Sequence, residues 1–159
     1  MIVLKTNREL ALMREACIIS AGALKLAGEA VEPGVTTAEI DKIAYDYIIK
    51  CGAKPNFLNY NGYPATACIS INDEVIHGIP SKKRVIEEGD IVSIDLGAVL
   101  EGFNGDNAAT FAAGAISSEA KRLCDTTKES LFLGIEKAVA GGRIGDIGYA
   151  VPVSYTHLR

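Results

Sequence analysis

Two aspartates carry the sharpest chemical feature of this sequence. Asp95 lies inside an otherwise apolar run, Ile91-Val92-Ser93-Ile94-Asp95-Leu96. A carboxylate in such a run must be paired, metal-bound or solvated, because burying it alone is costly. Asp106 ends the segment Gly102-Phe103-Asn104-Gly105-Asp106. Between the two, Glu101-Gly102 reads as a two-residue hairpin tip, with strands on either side. That tip sets Leu100 opposite Phe103, Asp95 opposite Ala108 and Asp106 opposite Gly97. Side chains alternate along a strand, so both carboxylates share one face. As diagonal neighbours their Cα atoms stand about 7–8 Å apart or less. One cation, or a close pair, can bridge such a gap, and without metal the two charges repel and raise one pKa. The alternative is a turn-associated Asp and an edge Asp with no shared task. Hard oxygen ligands alone do not specify a metal.

His77 is the second feature, in Ile76-His77-Gly78-Ile79-Pro80. Gly78 allows close backbone approach and Pro80 stiffens the loop. A positioned imidazole can hydrogen-bond a substrate or move a proton near neutral pH; a lone loop histidine can equally be structural. The third feature is Phe57-Leu58-Asn59-Tyr60-Asn61-Gly62-Tyr63-Pro64. Its aromatics could wall an apolar pocket to which Cys68 adds a soft surface suited to a thioether. The other reading is an aromatic loop packed on the core.

The elements that must position these residues are legible. Thr6-Asn7-Arg8-Glu9 and Thr36-Thr37-Ala38-Glu39 are capping boxes. The first opens a helix with Leu10, Met13, Cys17, Ala21 and Leu24 as its expected apolar stripe, broken at Glu32-Pro33-Gly34. The second opens a helix with Ile40, Ile43, Ala44, Tyr47 and Ile48 inward and Gly52 as a left-handed C-cap. Residues 53–65 read as an ordered loop. Residues 66–71 form a strand, residues 91–99 another, and residues 104–113 the return of the hairpin. Ser117 or Ser118 caps a third helix ending near Gly141-Gly142, and a short helix starts around Asp146. The pattern is α/β of the α+β type, an antiparallel sheet flanked by helices.

The chain has 159 residues, 48% of them hydrophobic, and a net charge of −4. That is one ordinary domain with a sizeable core. The acidic balance argues against nucleic acid, which asks for a basic stripe; Lys82-Lys83-Arg84 reads as a solvated turn. Four cysteines without a C-x-x-C pair fit buried thiols in a reduced cytoplasm, and with two histidines they argue against a zinc finger. The N-terminus has no signal-peptide pattern, and no stretch reaches the ~20 apolar residues that span a bilayer.

Taken in order, Tyr60-Asn61-Gly62-Tyr63-Pro64, residues 70–80 (Ser-Ile-Asn-Asp-Glu-Val-Ile-His-Gly-Ile-Pro), Gly89-Asp90-Ile91-Val92-Ser93-Ile94-Asp95 and Gly102-Phe103-Asn104-Gly105-Asp106 resemble type I methionine aminopeptidase. The resemblance runs from near Lys5 to about Val151. It implies the N-terminal part of the pita-bread fold, whose two pseudo-symmetric halves hold a pair of divalent metal ions (Co, Mn, Fe or Zn). By resemblance, Asp95 and Asp106 are metal ligands, with Asp106 bridging. His77 contacts the substrate near the scissile bond, and Phe57, Tyr60, Tyr63 and Cys68 surround the initiator methionine. The implied reaction is removal of an N-terminal Met by a metal-bridging hydroxide. The implied partners are nascent chains met at the ribosome in the cytoplasm, with no membrane and no direct nucleic-acid contact.

The family's further ligands, a histidine and two glutamates, and a second substrate histidine in a Gly-His-Gly-type motif have no counterpart in this sequence. His157 lacks that motif. The expectation is therefore a catalytic portion over residues 1–151 that is inactive alone, followed by a non-native tail over 152–159, with Pro152 interrupting the last helix. Two alternatives remain: an Xaa-Pro aminopeptidase or dipeptidase on the same fold, and a non-catalytic pita-bread peptide-binding protein.

Overall fold

A computed structural model describes residues 3–156. The chain divides into two compact units, Met1–Ile116 and Ser117–Arg159.

The first unit opens with α1 (Asn7–Glu29) and α2 (Thr37–Lys50), each started by its expected capping box. Thr6 and Thr36 accept from the N–H groups of Glu9 and Glu39, and each glutamate reaches back to its threonine. Gly52 follows α2 at φ +75°, the left-handed turn that ends a helix.

Next come β1 (Lys54–Pro55), a 3-10 turn over Tyr60–Gly62, β2 (Ala67–Ile71), β3 (Ile91–Leu100) and β4 (Phe103–Ala112). All pairings are antiparallel and β3 is central: β1 and β2 pair along one side of it and β4 along the other. The hairpin tip is Glu101-Gly102, with φ of 48° and 82°. Two left-handed residues in a two-residue loop match the right-handed twist of the strands. The register follows as expected: Leu100 faces Phe103, Gly97 faces Asp106 and Asp95 faces Ala108.

The core lies on one face of this sheet. Val92, Ile94, Leu96 and Ala98 of β3 are fully buried, with Ile40, Ala44 and Ile48 of α2 and Ala23 and Ala27 of α1 in the same cluster. Each fully buried Val, Ile or Leu contributes about 1.5–3 kcal/mol relative to exposure. The alternate residues Ser93, Asp95 and Gly97 fall on the opposite face, where Ser93 and Thr110 share a hydrogen bond of 2.9 Å.

The expected inward stripe of α1 is corrected. Leu10 is 49% exposed and Cys17 is exposed, whereas Ala16, Ser20, Ala23, Leu24, Ala27 and Gly28 are buried. Small side chains let the helix backbone approach β4 closely. A Cβ on Gly105 would collide with the Ala16 carbonyl, and one on Gly28 with the Phe111 ring. The cysteines are free, but only Cys68 is buried.

The second unit is a helix pair, α3 (Ser118–Lys137) and α4 (Ile144–Thr156). Ser117 caps α3 by accepting from the Ala120 N–H at 3.1 Å. The expected interruption at Pro152 does not occur, since Pro152 lies inside α4. Proline's fixed φ suits a helix. Its cost is one lost N–H and crowding of the carbonyl four residues back, here that of Gly148. His157 lies outside the described residues. No helix among the described residues is long and apolar enough to cross a membrane.

Candidate active site

The polar face of the sheet and the loops beside it gather the expected site residues. Asp95 is directly opposite Cys68 on one neighbouring strand and Ala108 on the other. Asp106 stands two residues from Ala108 along β4, on the same face, opposite Gly97. Asp106 is exposed and Asp95 half-buried. Burial pushes the Asp95 carboxyl above its ordinary range; the charge of Asp106 pushes it the same way, His77 partly offsets this, and a hydrogen bond with Asp106 adds to the rise. The two carboxylates therefore form an interacting pair, as the hairpin register implied.

His77 holds a left-handed backbone, φ +59°. The following residue, Gly78, is pinned to β2: Ile69 N–H donates to its carbonyl at 2.9 Å, and its own N–H donates to Ser70 Oγ at 3.1 Å. A Cβ on Gly78 would collide with the Ile69 carbonyl. Glycine at this position is a packing requirement, in keeping with the close approach read from the sequence.

Phe57, Tyr60, Tyr63, Cys68, His77 and Asp95 all line one cavity of about 810 Å³. This brings the aromatic loop, the thiol, the imidazole and one carboxylate to a single space of ligand size. Asn59 and Asn61 turn the loop through left-handed φ of 67° and 49°, and Tyr60 remains 70% exposed at the rim. Tyr63 reaches inward, and its hydroxyl lies within hydrogen-bond range of the Ala67 carbonyl at 3.0 Å and the Gly78 carbonyl at 3.1 Å. Burial raises its pKa, with Cys68 adding to the effect. Burial likewise pushes the Cys68 thiol up, partly offset by Tyr63 and reinforced by Asp95. Both groups stay protonated at neutral pH and present an uncharged surface to the cavity.

Asp106 does not line that cavity; Asn56, Ile79 and Asn104 do, none of which the sequence reading singled out. Asn104 precedes Asp106 by two residues on its strand, so period-two alternation could have found it. Asn56 depends on the short strand β1 and had no such signal. Asp41 was also missed. It accepts from the N–H groups of Thr66 and Ala67 at 2.9 and 2.8 Å and so fixes the start of β2, though burial still raises its pKa.

Asp95 and Asp106 fit a share of a divalent-cation site: they are hard oxygen donors whose mutual repulsion a cation would relieve. Among the described residues no cluster of three or more His, Cys, Asp or Glu side chains could hold a metal ion.

Residues 11–156 match metallopeptidase family M24. The chain is 52% identical to a methionine aminopeptidase of Clostridium acetobutylicum over 151 residues, covering 95% of this chain and 60% of that protein. It is 45% identical to methionine aminopeptidase 1 of Bacillus subtilis, again over 95% and 60%. The crystal structure of methionine aminopeptidase from Rickettsia prowazekii superposes with a TM-score of 0.95 at 35% identity, covering 99% of this chain and 63% of that one. The antiparallel sheet with its flanking helices thus has the pita-bread architecture that the motifs implied. The chain spans about 60% of the length of the curated relatives it matches.

Proposed function

The chain belongs to metallopeptidase family M24, and we propose that it carries part of the active site of an enzyme that removes the N-terminal methionine from proteins. The observation that carries this reading is the single cavity shared by an aromatic loop, a buried neutral thiol, His77 and Asp95. An unbranched thioether side chain suits aromatic walls and a soft sulfur surface. Phe57, Tyr60, Tyr63 and Cys68 would take the methionine side chain, excluding water from it.

His77 lines the same cavity as the aromatic loop and Asp95. Its imidazole would hydrogen-bond the substrate amide and steady charge developing on the carbonyl. Asp95 and Asp106 would be ligands to divalent ions. When bound, such ions make hydroxide available near neutral pH and polarise a carbonyl. Two carboxylates are too few to hold a pair of ions, so the remaining ligands would come from beyond the described residues. The substrates would be newly made proteins in the cytoplasm, engaged at the ribosome. The metal is one of Co, Mn, Fe or Zn.

The test joins residues 1–151 to the C-terminal part of the Clostridium acetobutylicum relative and assays release of Met from Met-Ala-Ser with Co²⁺ or Mn²⁺. Activity that Asp106→Asn abolishes is expected. A folded joined protein with no activity, or full activity with Asp106→Asn, would overturn the reading.

A further inference from the structure

We infer that Ser70 and Tyr63 are positioning residues for His77, acting through the backbone of Gly78; the inference rests on the reading of His77 as a substrate contact. His77 adopts φ +59°, a conformation uncommon outside glycine, which histidine tolerates better than most residues and which its surroundings must still hold. The hydrogen bonds of His77's own loop do not supply that constraint. It comes from one residue further on, where Gly78 lies against the outer edge of β2 with both backbone polar groups engaged.

The contacts come from three different residues. Ile69 N–H donates to the Gly78 carbonyl at 2.9 Å, as a strand neighbour would. The Tyr63 hydroxyl reaches the same carbonyl at 3.1 Å, from the aromatic loop. The Gly78 N–H donates to Ser70 Oγ at 3.1 Å. Ser70 is 4% exposed, and a buried hydroxyl without a partner is costly. The serine is therefore committed to this bond. Tyr63 also reaches the Ala67 carbonyl at 3.0 Å, so its one O–H is shared between the start of β2 and the histidine loop and holds the aromatic loop beside both. The methionine pocket and the imidazole would then move as one body, with no direct contact needed between Tyr63 and the imidazole.

A purely structural role for these hydroxyls would alter stability without altering the order of His77. The experiment therefore reads the imidazole itself. The chain has two histidines, so side-chain NMR of the full protein gives two signals, and His157→Asn assigns them. In unliganded protein, Tyr63→Phe and Ser70→Ala are expected to broaden or split the His77 signal. Ser20→Ala, which removes a buried hydroxyl bonded to Asn107 on the other side of the sheet, should leave it sharp.

Signals in Tyr63→Phe and Ser70→Ala that superimpose on the unmodified protein would overturn the inference. Should either variant fail to fold, amide exchange in the unmodified protein decides. The Gly78 amide should exchange at least 100-fold slower than an open-chain amide, and free exchange would overturn the proposal. Titration with L-methionine amide separates the two claims. A His77 signal that is sharp yet indifferent to the amide sinks only the substrate-contact reading. A signal disordered in the unmodified protein sinks the positioning role.

Discussion

Asp95 and Asp106 lie on adjacent antiparallel strands, offset by two residues on one face, with the position opposite Asp95 filled by Ala108 and that opposite Asp106 by Gly97. No cationic side chain stands directly opposite either carboxylate on this hairpin. Asp95 titrates above its ordinary value of 3.8 because of burial and then of Asp106.

The first prediction is the sign of the resulting pH dependence. A carboxyl whose folded pKa is raised favours the folded state when protonated. That contribution is full below about pH 3.8 and is lost as pH rises through the folded value. With EDTA present, Asp95→Asn should raise the thermal midpoint by about 2–5 °C at pH 7. The gain should vanish near pH 3. Asp41 is shifted the same way, but both proteins carry it and it cancels in the difference. Scanning calorimetry across this range checks it; a lower midpoint at pH 7 would count against the electrostatic account.

The hairpin tip gives a second prediction. Glu101 occupies a left-handed conformation at φ 48°, which costs a side chain other than Gly, Asn or Asp about 1–2 kcal/mol. Glu101→Asn should recover roughly 0.5–1 kcal/mol of that. Urea unfolding would show a higher midpoint with an unchanged slope.

A third prediction concerns the approach of α1 to β4. Gly105→Ala places a methyl group against the Ala16 carbonyl and the Cys17 N–H. Overpacking of this kind costs about 1–3 kcal/mol. Gly145→Ala in α4, where a Cβ meets nothing, should instead be neutral or stabilising by up to about 1 kcal/mol. Comparison of the two urea midpoints tests whether close contact, rather than glycine's flexibility, sets the sign.

The fourth concerns catalysis. The 159-residue chain alone should release no Met from Met-Ala-Ser with Co²⁺ or Mn²⁺, because two aspartates cannot hold a pair of ions. Amino-acid analysis of the reaction mixture would detect any turnover, and metal-dependent turnover would mean that the ligand count is wrong.

Much of the site was legible because it depends on local rules. A two-residue tip fixes the hairpin register, and the register alone brings Asp95 and Asp106 to one face. Capping boxes at Thr6 and Thr36 locate helix starts for the same reason. What escaped depends on tertiary approach. Leu10 and Cys17 fall on the helical stripe expected to face inward, yet both are exposed, because Ala16, Ala23 and Gly28 allow the nearer contact. Ser70 falls within a motif that assigns it no task and Asn56 falls in none, and their roles exist only once Gly78 and Gly97 are brought against them. The anchoring of Tyr63 to Gly78 joins residues fifteen apart in sequence, a contact that no periodicity predicts. Pro152 signals a break by its chemistry, but its fixed φ is compatible with the helix that contains it.

The central claim is that Asp95 and Asp106 act together on a divalent cation. Isothermal titration of Mn²⁺ into the full chain tests it most directly, alongside Asp95→Asn and Asp106→Asn. The account predicts weak binding, with Kd on the order of 10⁻⁴ M or weaker, abolished by either substitution. Binding that survives Asp106→Asn unchanged, or no binding in the unmodified chain up to millimolar Mn²⁺, would contradict it.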